Sequence, residues 1–289
     1  MIGGILCALG VFALVFAGYF FKDLSAHKAN LERETHFVTA TGIGFVTNFL
    51  DTLGIGSFAP MTAMLRGFKQ IQDRVIPGTL NVSCTLPVVV EAFIFITVIK
   101  VEMVTLISMI VAAVIGTVIG AGIVAKLPEK KIQLLMGIAL LITAFFMFSS
   151  QLGWIAGLGI GEAIGLTGMK LIIAVVVNFV LGALQSAGIG MYAPSMAMVY
   201  ILGMSPRVAF PIMMASAAFT LPPASIKFIK EGAYNRKASL AITVSGIVGV
   251  FIAAFIVKSL PVKMLIWLVI VVISYTAIAL LLRAVRKSK

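Results

Sequence analysis

Two carboxylates, Asp51 and Glu91, are the only acidic residues deep inside the apolar runs of this chain. A charge in such a run is expensive, and by default it marks a functional position. Asp51 stands three residues before the turn Gly54-Ile55-Gly56, beside Asn48, Thr52 and Ser57. A matching group recurs 134 residues later: Gln185 and Ser186, then Gly188-Ile189-Gly190, then Tyr192 and Ser195. The runs that follow each group add Thr79, Asn81, Ser83 and Thr85 in one case, Ser216 and Thr220 in the other. Hydroxyls, amides and free turn N–H groups hold an anion; they do not by themselves break a bond. Asp51, whose counterpart is the neutral Gln185, has two readings: a proton-carrying coupling group, or a carboxyl that caps the turn. Glu91 reads as structural, either paired with a Lys or protonated in a helix contact.

Other chemistries are poorly supplied. The two histidines, His27 and His36, lie in or beside one basic loop, away from both carboxylates. No nucleophile–base pair and no His/Asp/Glu cluster with ligand spacing is present, so no catalytic residue, metal or cofactor is expected. Cys7 and Cys84 sit alone in apolar runs, where a thiol behaves as a small apolar group. Arg74 and Arg207 stand at helix mouths and read as interfacial anchors.

The elements that position the polar groups come in two copies. At the offset of 134, Phe45, Val46, Leu50, Gly54, Ile55, Gly56, Ala59, Pro60, Ala63 and Met64 all meet an identical residue. Leu127-Pro128 meets Leu260-Pro261 after a slip of one residue. Such an internal repeat governs the whole reading of a fold. The runs that carry the motif, 37–65 and 168–202, would extend about 43 and 52 Å as straight helices, against a hydrocarbon core of about 30 Å. Each is interrupted by Gly-Ile-Gly with Pro four residues after the second Gly, the punctuation of a turn that opens a new helix. The pattern is helix, turn, helix. The first N–H groups of the new helices, from Ser57 and Met191 onward, form a natural seat for an anion.

Composition supplies the solvent. The chain is 61% hydrophobic and 11% charged, with mean hydropathy +1.15. Further apolar runs at 1–21, 75–99, 103–125, 132–149, 208–226, 238–257 and 264–282 are each long enough to cross a bilayer. The first lacks a signal-peptide cleavage pattern and reads as a retained helix. The net charge of +12 lies in short loops between these runs, which fits positive-inside loops and not a nucleic-acid partner. If both motif runs are re-entrant hairpins, seventeen Lys and Arg fall on one side and five on the other. If both cross fully, the basic loops 22–36 and 66–74 part company. The hairpin topology is therefore preferred. It places the C-terminus in the cytoplasm of a multi-pass protein of the cell's inner (cytoplasmic) membrane.

The expected fold is all-α and polytopic, with seven spanning helices plus two re-entrant helical hairpins in an inverted repeat. Residues 1–36 form a first helix and loop, 37–149 the first repeat, 150–167 an external linker, and 168–289 the second repeat with its basic tail. Each repeat has one hairpin and three crossings, an odd number, so the copies lie upside down to one another. Inverted repeats with broken helices are a recurrent transporter plan. The expected anion ligands are Gly54, Gly56, Ser57, Asn81, Ser83, Gln185, Gly188, Gly190, Tyr192 and Ser195. Asp51 is the coupling candidate, and the partners are a small anion and the bilayer. A passive anion channel is the nearest alternative, and a membrane-embedded enzyme a remoter one. The oligomeric state is not legible in the sequence.

The duplicated turn, Gly54-Ile-Gly56-Ser57-Phe58-Ala59-Pro60 and Gly188-Ile-Gly190-Met191-Tyr192-Ala193-Pro194, resembles that of the sulfite exporter TauE/SafE (TSUP) family. The likeness spans about residues 37–283. The family's turn is closer to Gly-x-Gly-Gly-Gly, and here Ser-Phe and Met-Tyr replace the later glycines. The resemblance implies export of sulfite or a small organosulfonate across the cytoplasmic membrane, coupled to an ion gradient.

Overall fold

A computed structural model describes residues 2–97, 99–124, 126–154, 162–205, 208–255 and 262–285. Arg207, Lys258, Leu260-Pro261 and the tail residues Arg286, Lys287 and Lys289 lie outside these. The described residues form eleven α-helices and no strand: α1 Ile2–Ala26, α2 Phe37–Thr52, α3 Phe58–Gly67, α4 Ile76–Ile96, α5 Met103–Val124, α6 Glu129–Gln151, α7 Gly168–Gln185, α8 Tyr192–Ile201, α9 Ala209–Lys230, α10 Arg236–Phe255 and α11 Val262–Val285. Seven helices among them, α1, α4, α5, α6, α7, α9 and α10, are long and apolar enough to span a membrane. Both motif runs break where the sequence places their turns.

The most enclosed helices are α4 and α9, whose apolar windows are 72% and 83% buried. They pack on one another and are joined by the Thr85 and Ser225 hydroxyls at 2.9 Å. Around them large apolar side chains point outward, among them Leu14, Val111, Ile119, Ile172, Val176 and Phe251. An apolar patch of that extent is untenable in water and natural in lipid. The polar residues, by contrast, are inside: Asn48, Asn81, Glu91, Asn178 and Ser195 are fully buried.

Helix contacts come in matched pairs. α2 packs on α10, and α7 on α5; α4 also packs on α10, and α9 on α5. Close approach depends on glycines at corresponding places. A Cβ on Gly116 would lie 2.0 Å from the Phe179 carbonyl, and one on Gly249 would lie 2.6 Å from the Phe45 carbonyl. Phe45 and Phe179 are separated by 134 residues, Gly116 and Gly249 by the slipped interval of 133. Gly182 against Ala113, and Gly246 against Asn48, repeat the correspondence. Small residues let helix backbones meet, which is what drives association in lipid.

Hydrogen bonds tie several loops to one another. The His36 N–H donates to Gln70 Oε1 at 2.8 Å, so the start of α2 adjoins the end of α3. Thr35 donates to the Gln70 carbonyl and accepts from Asn235 Nδ2 at 2.9 Å. Asp23 accepts from Tyr234 at 2.6 Å and from Arg236 Nε at 2.7 Å, while Glu32 accepts the first N–H groups of α10. In the second copy the Lys170 ammonium donates to the Leu202 carbonyl at 3.1 Å, joining the start of α7 to the end of α8. The Glu102 N–H donates to the Ile164 carbonyl at 2.8 Å.

Candidate functional site

The two interrupted runs bring their turns together. After α2, Gly54 and Gly56 take φ of +82° and +91°, a region in which side chains are strained, and the chain reverses into α3. After α7, Gly188 does the same at +90°, whereas Gly190 has ordinary φ. A Cβ on Gly56 would lie 3.9 Å from Tyr192 Cβ, and one on Gly190 would lie 3.7 Å from Phe58 Cβ. Each turn therefore abuts the first residue of the other copy's short helix.

Between them lies a cavity of about 20 Å³ bounded by Asp51, Gly56, Ser57, Gln185, Gly190 and Tyr192. Val88, Met191, Ala217 and Leu221 close its walls. That is room for water-sized groups, so a sulfur oxyanion needs the turns to part.

The polar atoms around the cavity differ between the copies. Asp51 Oδ1 accepts the Ser57 N–H at 2.6 Å, so a carboxylate already occupies the donor end of α3. The counterpart Gln185 turns its Oε1 to the Thr220 hydroxyl, which donates at 2.5 Å. Among the described residues no carboxylate caps α8. A negative group at a helix N-terminus satisfies both the free N–H and the dipole, and the first copy has such a group in Asp51, where the second has the neutral Gln185.

The expected ligands divide accordingly. Gly56, Ser57, Gln185, Gly190 and Tyr192 border the cavity with Asp51. Gly54 and Gly188 shape the turns without lining it. Asn81 donates at 2.8 Å to the Pro77 carbonyl of its own helix and more loosely, at 3.4 Å, to the Gln185 and Ser186 carbonyls; its Oδ1 has no partner. Ser83 points to Met61 Sδ at 3.7 Å and to the Leu80 carbonyl. Ser195 is buried with its hydroxyl oxygen unpartnered. Cys84 lies 3.6 Å from the Ser57 hydroxyl, a neighbour of the turn with no metal-binding companions among the described residues.

One residue belongs here that the sequence reading set aside. Glu91 is fully buried on α4, and its Oε2 accepts the Tyr192 hydroxyl at 2.8 Å. Its Oε1 has no hydrogen-bond partner. Thr52 stands beside it but donates instead to the Asn48 carbonyl at 3.0 Å. The sequence signal was present, an acidic residue in an apolar run, but 101 residues separate it from the tyrosine that gives it a role.

No curated protein and no solved structure matches the chain. The family model described as Sulfite exporter TauE/SafE matches residues 3–147 and 170–289, nearly the whole length. That coverage takes in both turns and every helix that frames them, so this chain belongs to the sulfite exporter TauE/SafE family and is a polytopic membrane transporter.

Proposed function

We propose that the protein is a secondary carrier that moves a small anion, sulfite or an organosulfonate, through a site between its two glycine turns. The observation that carries this reading is the meeting of both turns at one small cavity whose lining includes Asp51, Ser57, Gln185 and Tyr192. Interrupted helices that meet at a shared polar centre are how transporters of inverted-repeat design hold their cargo.

The contact between His36 and Gln70 supports a hairpin in which α3 returns to the side from which α2 enters. The contact of Lys170 with Leu202 supports the same for α7 and α8 on the opposite side. The matched packing of α2 on α10 and α7 on α5 supports a two-fold relation between the repeats. An odd number of crossings per repeat then makes the relation an inverted one.

Within this site the start of α8 is the better seat for the anion. There the Ser195 hydroxyl lies one turn along the helix without a partner, Ser57 borders the same cavity, and the Tyr192 hydroxyl, which donates to Glu91, reaches the anion as a donor once it leaves that bond. Hydrogen bonds from neutral donors to a charged ligand contribute roughly 1.5–3 kcal/mol each. A few of them suffice for about micromolar to millimolar binding once ordering costs are met. No Lys or Arg is needed, and the cargo remains releasable.

Counterflow in proteoliposomes tests the carrier. Sulfite trapped inside should accelerate entry of labelled sulfite from outside. Uptake indifferent to the internal anion would instead mark a channel.

A further inference from the structure

The geometry points to Glu91, held by Tyr192, as the group that carries a proton together with the anion, leaving Asp51 to hold the first turn. This rests on the anion site proposed above and adds the coupled ion.

Asp51 has a backbone N–H at 2.6 Å and is committed to the turn. Glu91 accepts from one neutral donor, Tyr192, has the Thr52 hydroxyl beside it, and keeps one bare oxygen in a fully buried position. An ionised carboxylate with a single hydroxyl partner and no countercharge is costly in an apolar interior. A protonated one is not, and the bare oxygen is where the proton can reside.

The surroundings contain nothing to offset a charge there. From α2 the titratable group facing Glu91 is Asp51, from its own helix Cys84, and from α8 Tyr192. The basic residues of α9 and α10 act elsewhere: Lys227 donates to the Val118 carbonyl, and Arg236 pairs with Asp23. Among the described residues neither Asp51 nor Glu91 has an ion-pair partner.

An anion seated at Tyr192 would therefore face Glu91 through a single hydroxyl. Two like charges at that range exclude each other, so the anion binds when Glu91 is protonated, and anion binding favours protonation in return. The proton joins the carboxylate from water on the open side of the site and leaves to water on the other. Because Tyr192 opens α8, at the turn that must part for a sulfur oxyanion, its bond to Glu91 links the protonation state to the position of the turn. Anion and proton then move in the same direction.

The test uses the full-length protein in liposomes with a trapped pH dye and methanesulfonate, a monoanion that stays ionised at any relevant pH. With wild type, outward movement of methanesulfonate should alkalinise the lumen. With Glu91→Gln, the protons moved per methanesulfonate should fall at least tenfold; Glu91→Asp should restore part of that ratio, and Asp51→Asn should leave the ratio, though not the rate, as in wild type. Wild-type anion movement with no proton movement, or movement that follows a sodium gradient, overturns the inference. So does a ratio unchanged in Glu91→Gln or lost instead in Asp51→Asn. Absence of methanesulfonate exchange in wild type overturns the anion-site reading for sulfonates, and this inference with it.

Discussion

The Asp51 carboxylate accepts the Ser57 N–H at 2.6 Å and so bridges the two helices on either side of the first turn. Of the two sequence readings of Asp51, a coupling group or a carboxyl that caps the turn, this bond fits the second. Asn keeps an acceptor at that position, and Ala leaves a buried N–H unsatisfied. Asp51→Asn should therefore retain close to wild-type thermal stability in detergent. Asp51→Ala should lose about 1–3 kcal/mol. A melting comparison of the two purified variants checks this.

The glycines at the turns are not equivalent. Gly54 has φ +82°, and a Cβ there would also lie 3.1 Å from the Phe210 ring. Gly190 has ordinary φ and open space out to Phe58 at 3.7 Å. Gly54→Ala should thus be destabilised by about 1–2 kcal/mol from the left-handed backbone alone, and Gly190→Ala should be close to neutral. Melting of both variants decides it, and equal losses would contradict the geometry.

Much of this was legible in the sequence because the repeat carries its own internal control. Two runs too long to be single spans, each broken at Gly-x-Gly with a following Pro, announce helix–turn–helix wherever they occur. The helix breaks after Thr52 and Gln185 fall where that punctuation puts them. What the sequence could not give was the pairing of side chains between copies. Tyr192 and Glu91 come from different repeats, and nothing local in either run indicates that they touch. Asn81 and Ser83 have the right type and depth, but a helix surface faces several ways, and theirs turn mostly to their own backbone and to Met61. The asymmetry between Asp51 and Gln185 was visible as an identity difference; its consequence, a carboxylate bonded to the Ser57 N–H and an amide bonded to a hydroxyl, depended on the position of Thr220.

The matched glycines make a quantitative comparison possible. Gly116→Ala and Gly249→Ala each drive a Cβ into a backbone carbonyl, at 2.0 and 2.6 Å. Overpacking of this kind typically costs about 1–3 kcal/mol. Both should lower stability and folded yield, with Gly116→Ala the worse. Gly42→Ala, where nothing lies within 4 Å, serves as the control and should behave as wild type.

The proposed hairpins place residues 27–36 and 68–75 on one side of the membrane. Gln70 is buried and bonded to Thr35, which makes it a poor labelling site. Gln72 is exposed. A single cysteine at Gln72 in a cysteine-free background should stay unlabelled by an impermeant maleimide in intact cells and become labelled after permeabilisation. Labelling in intact cells would contradict the first hairpin.

The central claim, an anion site between the two turns, is tested most directly by sulfite binding to purified Gly190→Leu measured by titration calorimetry. Gly190 borders the cavity without strained φ, so a leucine there needs no unusual backbone, but its side chain exceeds the space between the turns and blocks the site. The expected result is a monodisperse, folded protein whose sulfite affinity falls by more than about tenfold, equivalent to at least 1.4 kcal/mol. Wild-type affinity in the folded variant would contradict it and leave the glycines as packing residues alone.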